Sequence, residues 1–147
     1  MASWSPEARA FLEGHRVGHL ATASADGDPH VVPVCYAVDE GAVYFIADEK
    51  PKRGPARALK RLRNLGANAR AALVVDDWSE DWTRLAWVLV RGSARVVAPG
   101  EHAHALALLR ARYPQYRRMA LDDPERNPVV AVAPERVVVW RAASSDR

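Results

Sequence analysis

The stretch of residues 18–77 constrains the fold most, because strand-like runs alternate in it with short turns. Apolar and β-branched residues dominate the runs, which predicts strands at Val17–Ser24, His30–Val38 and Ala42–Ala47. The Asp-Gly pair at positions 26–27 is a strong hairpin signal, and a Glu-Gly pair separates the next two runs. Consecutive hairpins of this kind predict an antiparallel sheet.

The rest of the chain continues the pattern and adds helices. A helix is expected to begin after Ser5, which suits an N-cap, and to end at Gly14. Four further strands are expected at Ala71–Asp77, Leu85–Val97, Val129–Ala133 and Arg136–Arg141, and three further helices at Arg57–Leu65, Glu101–Tyr113 and Gln115–Leu121. Gly92 predicts a bulge or bend in the long strand. The expected fold class is therefore mainly β with helices (α+β), a small closed or partly closed barrel formed by one domain, residues 1–147.

Composition excludes several classes of protein. Cys35 is the only cysteine, so an internal disulfide or a cysteine zinc site cannot form. No apolar run approaches the ~20 residues of a membrane span, and the N-terminal residues do not resemble a signal peptide. A cytoplasmic protein without a membrane partner is expected. Gly-x-Gly-x-x-Gly and Walker motifs are absent from the sequence, which disfavours the dinucleotide and P-loop folds.

The charge is concentrated in one segment, residues 50–70. It holds eight cations and no acid, whereas the other 13 of the 21 Lys and Arg residues face 18 acids. A local patch fits a phosphate or another compact anion better than a nucleic acid, which needs a longer basic face. Charge alone also allows a plain solvated helix face. The cations are Lys50, Lys52, Arg53, Arg57, Lys60, Arg61, Arg63 and Arg70.

The order of these motifs resembles a known family. The basic pair Lys60-Arg61 stands seven residues before the strand entry Asn68-Ala69-Arg70-Ala71-Ala72-Leu73. This arrangement is similar to the pyridoxamine 5′-phosphate oxidase-like, flavin-binding split barrels, over about residues 5–141. Ala69 replaces the proline usual in that family, and Leu59 replaces a serine that would contact phosphate.

Within that superfamily, the chain is most similar to the small deazaflavin-dependent oxidoreductases. The similarity rests on Gly18-His19-Leu20-Ala21-Thr22, then Pro33-Val34, then Arg63-Asn64-Leu65. It implies coenzyme F420 as cofactor, hydride transfer at the deazaflavin C5, and a homodimer with the cofactor at the subunit interface. It also implies that cations hold the phosphate and the polyglutamate tail. The implied cofactor-binding residues are Val32, Pro33, Val34, Ala47, Asp48, Lys50, Lys60, Arg61, Arg63, Asn64 and Trp78.

Individual residues leave alternatives open. Pro33 lacks an N–H, so it indicates either an edge strand or a flat ring lying against the strand. Trp78, Trp82 and Trp87 could cover a ring, form a dimer surface or pack in the core, and Trp140 is expected in the core. Cys35 is expected to be buried. The histidines lack metal-ligand spacing, and no side chain is an evident catalytic acid or base.

The expected function is an oxidoreductase that binds coenzyme F420 and transfers a hydride to or from a small organic substrate. The nearest alternative is an FMN-dependent enzyme of the same fold. A second alternative is a non-enzymatic protein that stores or protects a flavin or deazaflavin. A haem-binding split barrel would need an axial histidine, for which the sequence offers no evident candidate. The substrate and the direction of transfer stay open.

Overall fold

A computed structural model describes residues 4–47 and 60–143 of the chain. Helix α1 spans Pro6–Glu13 and begins as expected, since the Ser5 hydroxyl accepts the Ala8 N–H at 3.1 Å. Gly14 caps its C-terminus, and its N–H donates to backbone carbonyls of the last turn. Both ends of this helix are therefore set by the capping residues next to them in the sequence.

In the described residues, seven strands form one antiparallel sheet in the order β2-β1-β5-β6-β7-β4-β3. Their bounds are β1 Gly18–Ala23, β2 Pro29–Val34, β3 Ala37–Val38, β4 Val43–Ile46, β5 Arg70–Asp77, β6 Ala86–Val96 and β7 Val129–Arg141. The predicted strand His30–Val38 is thus two strands, which pair with different neighbours. The sheet curls into a half-barrel because β7 pairs with β6 along its length and with β4 at its start.

The long strands β6 and β7 carry the bulge that Gly92 predicts. Arg91 pairs with Arg136 and Gly92 with Pro134, so Glu135 is the extra residue. A Cβ at Gly92 would lie 1.9 Å from the Ala133 carbonyl oxygen, which only glycine avoids. The prediction of two closing strands is wrong, because the chain continues through this bulge as the single strand β7.

Within residues 4–47 and 60–143, three helices and two short 3₁₀ helices surround the sheet. Helix α2 spans Lys60–Ala67 and α3 spans Pro99–Arg112. The 3₁₀ helices are Trp82–Arg84 and Pro114–Arg118, and the second occupies part of the segment predicted as a short helix. The predicted start of α2, at Arg57, lies outside the described residues.

Buried side chains form two clusters on opposite sides of the sheet. In β4, Val43 and Phe45 face the barrel interior with α1, whereas Tyr44 and Ile46 face α3. Helix α3 therefore covers the outer side of β3, β4 and the first part of β7. The interior cluster extends along β1, β5 and β6 and includes Leu20, Leu73, Val75, Val88 and Val90.

Candidate functional site

The outer side of β2, β1, β5, β6 and the second part of β7 is here called the open face. Val88 and Val90 are fully buried in the interior, so the alternate residue Leu89 points outward and is only half-buried. Helix α3 packs on the other part of the sheet, and the buried side chains of α1 and α2 belong to the interior cluster. Among the described residues, no helix covers the open face.

The strand register aligns the open-face side chains in three rows. The middle row crosses all five strands and consists of Pro33, His19, Val74, Leu89 and Val138. The arginine row lies beside it and consists of Val31, Ala21, Ala72, Arg91 and Arg136. The tryptophan row lies on the other side and consists of Asp76, Trp87 and Trp140. A mostly apolar strip is thus flanked by cations along one edge.

The tryptophan row leaves aromatic surface uncovered. The rings of Trp87 and Trp140 stack with centroids 5.9 Å apart and an angle of 13° between planes. Trp140 keeps 41% of its surface exposed, so the expectation that it lies in the core is wrong. Trp140 pairs with Trp87 on β6. The residues before and after Trp87 in that strand are buried in the interior, so Trp87 and its partner Trp140 both point to the open face.

The arginine row concentrates positive charge on a sheet surface. Arg91 and Arg136 are exposed and directly opposite each other on neighbouring strands. Like charges directly opposite each other on neighbouring strands are destabilising. Neither arginine forms an ion pair within the described residues. A shallow depression of about 310 Å³ extends from Arg91 to Ala21 and Arg70. Arg70 is paired with Glu135 at 2.6 Å, which leaves Arg91 and Arg136 as the cations available to an anion.

The structure separates the predicted residues of β2. Pro33 is exposed in the middle row of the open face, and β2 is an edge strand, as one reading of this proline requires. Val34 is buried in the interior, and Val32 packs against the same cluster. Val31 instead faces outward beside Pro33, with 61% of its surface exposed.

The predicted residues around α2 have different surroundings. Asn64, one of the implied cofactor-binding residues, is buried, and its amide donates to the Thr22 hydroxyl at 3.0 Å. It therefore anchors α2 to β1. Arg63 is exposed. Lys60 and Arg61 belong to α2, whereas Asp48 and Lys50 lie outside the described residues.

Ala47 and Trp78 complete the predicted set. The backbone of Ala47 is fully engaged, because its N–H donates to the Pro128 carbonyl and its carbonyl accepts from the Asn127 amide. Trp78 follows β5 and is 68% exposed, as is Trp82. Core packing, one of the alternatives open for these tryptophans, is therefore excluded for Trp78 and Trp82 in a single chain.

A polar network joins the turn between β3 and β4 to α3. The Asp39 carboxylate accepts from the backbone N–H groups of Gly41 and Ala42, from the Tyr44 hydroxyl and from His104. Burial raises the pKa of Asp39, but these hydrogen bonds together outweigh it and hold the pKa below its ordinary value. Tyr44 also contacts Glu101 at 3.1 Å, and burial together with both carboxylates raises the pKa of this tyrosine.

The described residues contain neither a metal-ligand cluster nor a membrane-spanning helix. No group of three or more His, Cys, Asp or Glu side chains there could hold a metal ion. None of the helices in those parts of the chain is both long enough and apolar enough to cross a membrane.

The sequence contains a signal for part of the open face that the predicted site residues do not include. In β6, strand alternation from Trp87 through Leu89 leads to Arg91, so these three side chains had to share one face. Arg136 joins them only through the bulge. Its position depends on a register shift that no local pattern specifies.

Comparison with known proteins identifies the family of this chain. The family model for pyridoxamine 5′-phosphate oxidase matches residues 4–143, so the chain belongs to this family and has its split-barrel fold. A curated relative, a 5a,11a-dehydrotetracycline/5a,11a-dehydrooxytetracycline reductase from Streptomyces rimosus, is 30% identical over 133 residues, covering 88% of this chain and 78% of the relative. The family and this relative indicate a flavin-related oxidoreductase.

Solved structures with the same fold bind different groups. A FAD-binding protein from Mesorhizobium loti has a TM-score of 0.67 and 25% identity, over 94% of this chain and 95% of that one. A haem-binding protein from Mycobacterium smegmatis has a TM-score of 0.73 and 23% identity, over 98% of this chain and 57% of that one. The fold thus accommodates a flavin or a haem in different proteins.

Proposed function

We propose that this protein is a homodimeric oxidoreductase that binds coenzyme F420 on the open face and exchanges a hydride with a small organic substrate. The observation that carries the proposal is the mostly apolar middle row flanked by Arg91 and Arg136, which form no ion pair within the described residues. A cofactor with a flat ring and an anionic side chain needs an apolar surface next to a positively charged one.

The middle row suits the ring. Pro33 has no backbone N–H, so the row of hydrogen-bonding groups along β2 is interrupted there. The proline ring lies next to His19 on β1. Val74, Leu89 and Val138 continue the apolar surface across the sheet. A ring lying here would cover side chains that one chain leaves half exposed.

The arginine row suits the anions. Arg91 and Arg136 repel each other without a ligand, so a phosphate or carboxylate between them would remove a penalty as well as form charge-assisted hydrogen bonds. Lys60 and Arg61, on α2, would hold further phosphate or tail oxygens, as the family resemblance implies. Coenzyme F420 carries more negative charge than FMN, which favours it for a site with this many cations.

A second subunit would complete the site. Val31 and Trp140 expose 61% and 41% of their surfaces on the open face, and burying such apolar surface favours association. When bound, the reduced deazaflavin supplies a hydride from C5. The protein's part would be to orient the ring, exclude water and hold the anions, because the cofactor itself supplies the chemistry.

The dimer can be tested separately from the cofactor. Val31→Glu should produce a monomer in sedimentation velocity, because it places a charge on the proposed interface without disturbing the interior. Val96→Glu is the matched control, since Val96 is 56% exposed but lies at the far end of β6. A dimer that survives Val31→Glu while Val96→Glu disrupts it would place the interface elsewhere.

Fluorescence titration with coenzyme F420 and with FMN tests the cofactor. Coenzyme F420 should bind the tighter of the two, and equal or tighter FMN binding would defeat the assignment. Turnover should then be assayed with reduced F420 and with 5a,11a-dehydrooxytetracycline, a substrate class named for the Streptomyces rimosus relative. Tight F420 binding without turnover of any acceptor would favour a non-enzymatic carrier.

Haem is the second candidate because of His19. Its imidazole is exposed in the middle row beside Pro33, where it could serve as an axial ligand. Haem titration should then give a Soret shift that His19→Ala abolishes. A spectrum unchanged by His19→Ala would exclude this role for His19.

A further inference from the structure

A second cavity, here called the rim pocket, borders the end of β2. Its volume is about 680 Å³, within the range of small-molecule sites. Its lining includes Arg16, Val17, Cys35, Arg112, Tyr113 and Met119. These residues come from the α1–β1 connection, the segment after β2, the end of α3 and the 3₁₀ helix behind it.

The pocket has a fixed apolar wall. Tyr113 is buried, its hydroxyl lies 2.7 Å from the Arg16 carbonyl, and it accepts the Tyr36 N–H at 3.0 Å. Val17 keeps 47% of its surface exposed although it is apolar, and Met119 is only partly buried. A ligand with an apolar body would therefore find a preformed surface rather than one that must be ordered.

The pocket also carries uncompensated positive charge. The guanidinium carbons of Arg16 and Arg112 lie 5.7 and 5.4 Å from the centre of the Tyr113 ring. Both arginines donate to backbone carbonyls: Arg112 donates to those of Glu13 and His15, and Arg16 donates to that of Arg112 itself. Within the described residues neither forms an ion pair, and the lining contains no carboxylate.

One donor of this pair is left over. The Nε of Arg112 is buried and has no hydrogen-bond partner within the described residues. A buried unsatisfied N–H is costly, so the protein's own acceptors do not satisfy all the donors of this pair.

We infer that the rim pocket binds an organic anion, a compound with an apolar ring system and a carboxylate, sulfonate or enolate oxygen. This inference rests on the proposed function, since it makes that anion the hydride partner of the cofactor. Cys35 lines the pocket and stands two residues after Pro33, so their Cα atoms are at most about 7 Å apart. A ring held against Pro33 and a ligand in the rim pocket would be neighbours.

A pair of fluorescent probes tests the charge requirement. Anilinonaphthalene sulfonate is an apolar anion, and phenylnaphthylamine is its neutral counterpart. Arg16→Gln should raise the Kd of the anionic probe about tenfold, the scale of one charge-assisted hydrogen bond, and should leave the neutral probe unchanged. Arg126→Gln is the control, because it removes the same charge from an exposed residue outside the pocket. Equal Kd values for the anionic probe in both variants would overturn the inference.

Cys35 locates the bound probe, because it is the only cysteine in the chain. Saturating anionic probe should slow the modification of Cys35 by N-ethylmaleimide at least fivefold in the wild type, and by less in Arg16→Gln at the same probe concentration. No protection in the wild type would place the probe elsewhere and refute the inference.

A second pair of variants, Val17→Glu and Val17→Lys, introduces opposite charges at an exposed position of the pocket. The first should weaken binding of the anionic probe and the second should not.

Titration of the same variants with coenzyme F420 separates the two proposals. Arg16→Gln should bind F420 as the wild type does. A parallel loss of F420 binding would mean that the pocket holds the cofactor itself and would overturn the inference. If F420 binds no variant but the arginine dependence of the anionic probe persists, the proposed function fails and the rim pocket stands as an anion site.

Discussion

Arg136→Gln should change stability and cofactor binding in opposite directions. Arg136 lies directly opposite Arg91 on neighbouring strands, where Cβ atoms are about 5 Å apart. With the exposed charges about 7 Å apart in water, their repulsion is about 0.6 kcal/mol, and salt at physiological strength reduces it further. Removing one charge should therefore raise the free energy of unfolding of the free protein by a few tenths of a kcal/mol.

The same substitution should weaken the bound state. If both arginines hold an anion, losing one costs about 1.4 kcal/mol, or about tenfold in the Kd for coenzyme F420. The assays are urea denaturation without ligand and fluorescence titration with F420. Stabilisation should shrink in ~1 M salt, where the screening length falls to ~3 Å.

The matched control is Arg126→Gln, which removes a charge from an exposed residue before β7. It should change neither quantity by more than experimental error. If Arg136→Gln destabilises the free protein by more than about 1 kcal/mol, the arginine has a structural partner and the repulsion argument is wrong. If F420 binding is unchanged, the arginine row does not hold the cofactor.

Three further predictions address the bulge, the basic pair and the polar network. Gly92→Ala should lower the free energy of unfolding by about 3 kcal/mol in chemical denaturation, because the new Cβ would lie 1.9 Å from the Ala133 carbonyl oxygen. Gly100→Ala is the control. A Cβ at Gly100 would have no heavy atom within 4 Å, so this substitution should be neutral or stabilising. Lys60→Ala and Arg61→Ala should each weaken F420 binding by about 1.5–3 kcal/mol with little loss of stability. Unchanged F420 binding in the double variant would mean that Lys60 and Arg61 only form a solvated helix face. The folded-state pKa of Asp39 is lowered, so its contribution to stability is present above its ordinary value of about 3.9 and is lost as the pH falls through the folded value. Asp39→Asn should therefore flatten the acid side of the stability profile, and an unchanged slope would contradict the assignment.

Local signals were sufficient for most secondary structure. Ser5 and Gly14 mark both ends of α1, and alternation along β4 and β6 sorts side chains correctly between the two sides of the sheet. The bulge at Gly92 was also predictable, because a glycine inside a strand pattern usually marks one. The two predicted closing strands were wrong because Pro134, which reads as a break, lies at that bulge instead.

The site was harder to predict because it depends on long-range contacts. Asn64 reads as a polar helix residue, and only the packing of α2 on β1 buries it against Thr22. Trp140 reads as core, and only its pairing with Trp87 places it outside. Arg16 and Arg112 are distant in sequence, so nothing in the order of residues indicates that they share a pocket.

Sedimentation velocity followed at the absorption band of coenzyme F420 tests most directly whether two open faces form the cofactor site. The cofactor should sediment with a dimer of the wild-type protein, and Val31→Glu should release it as the protein becomes monomeric. FMN, tested at equal concentration, should sediment with the protein to a smaller extent. Coenzyme F420 that sediments with a monomer, or that stays free at saturating wild-type protein, would contradict this arrangement.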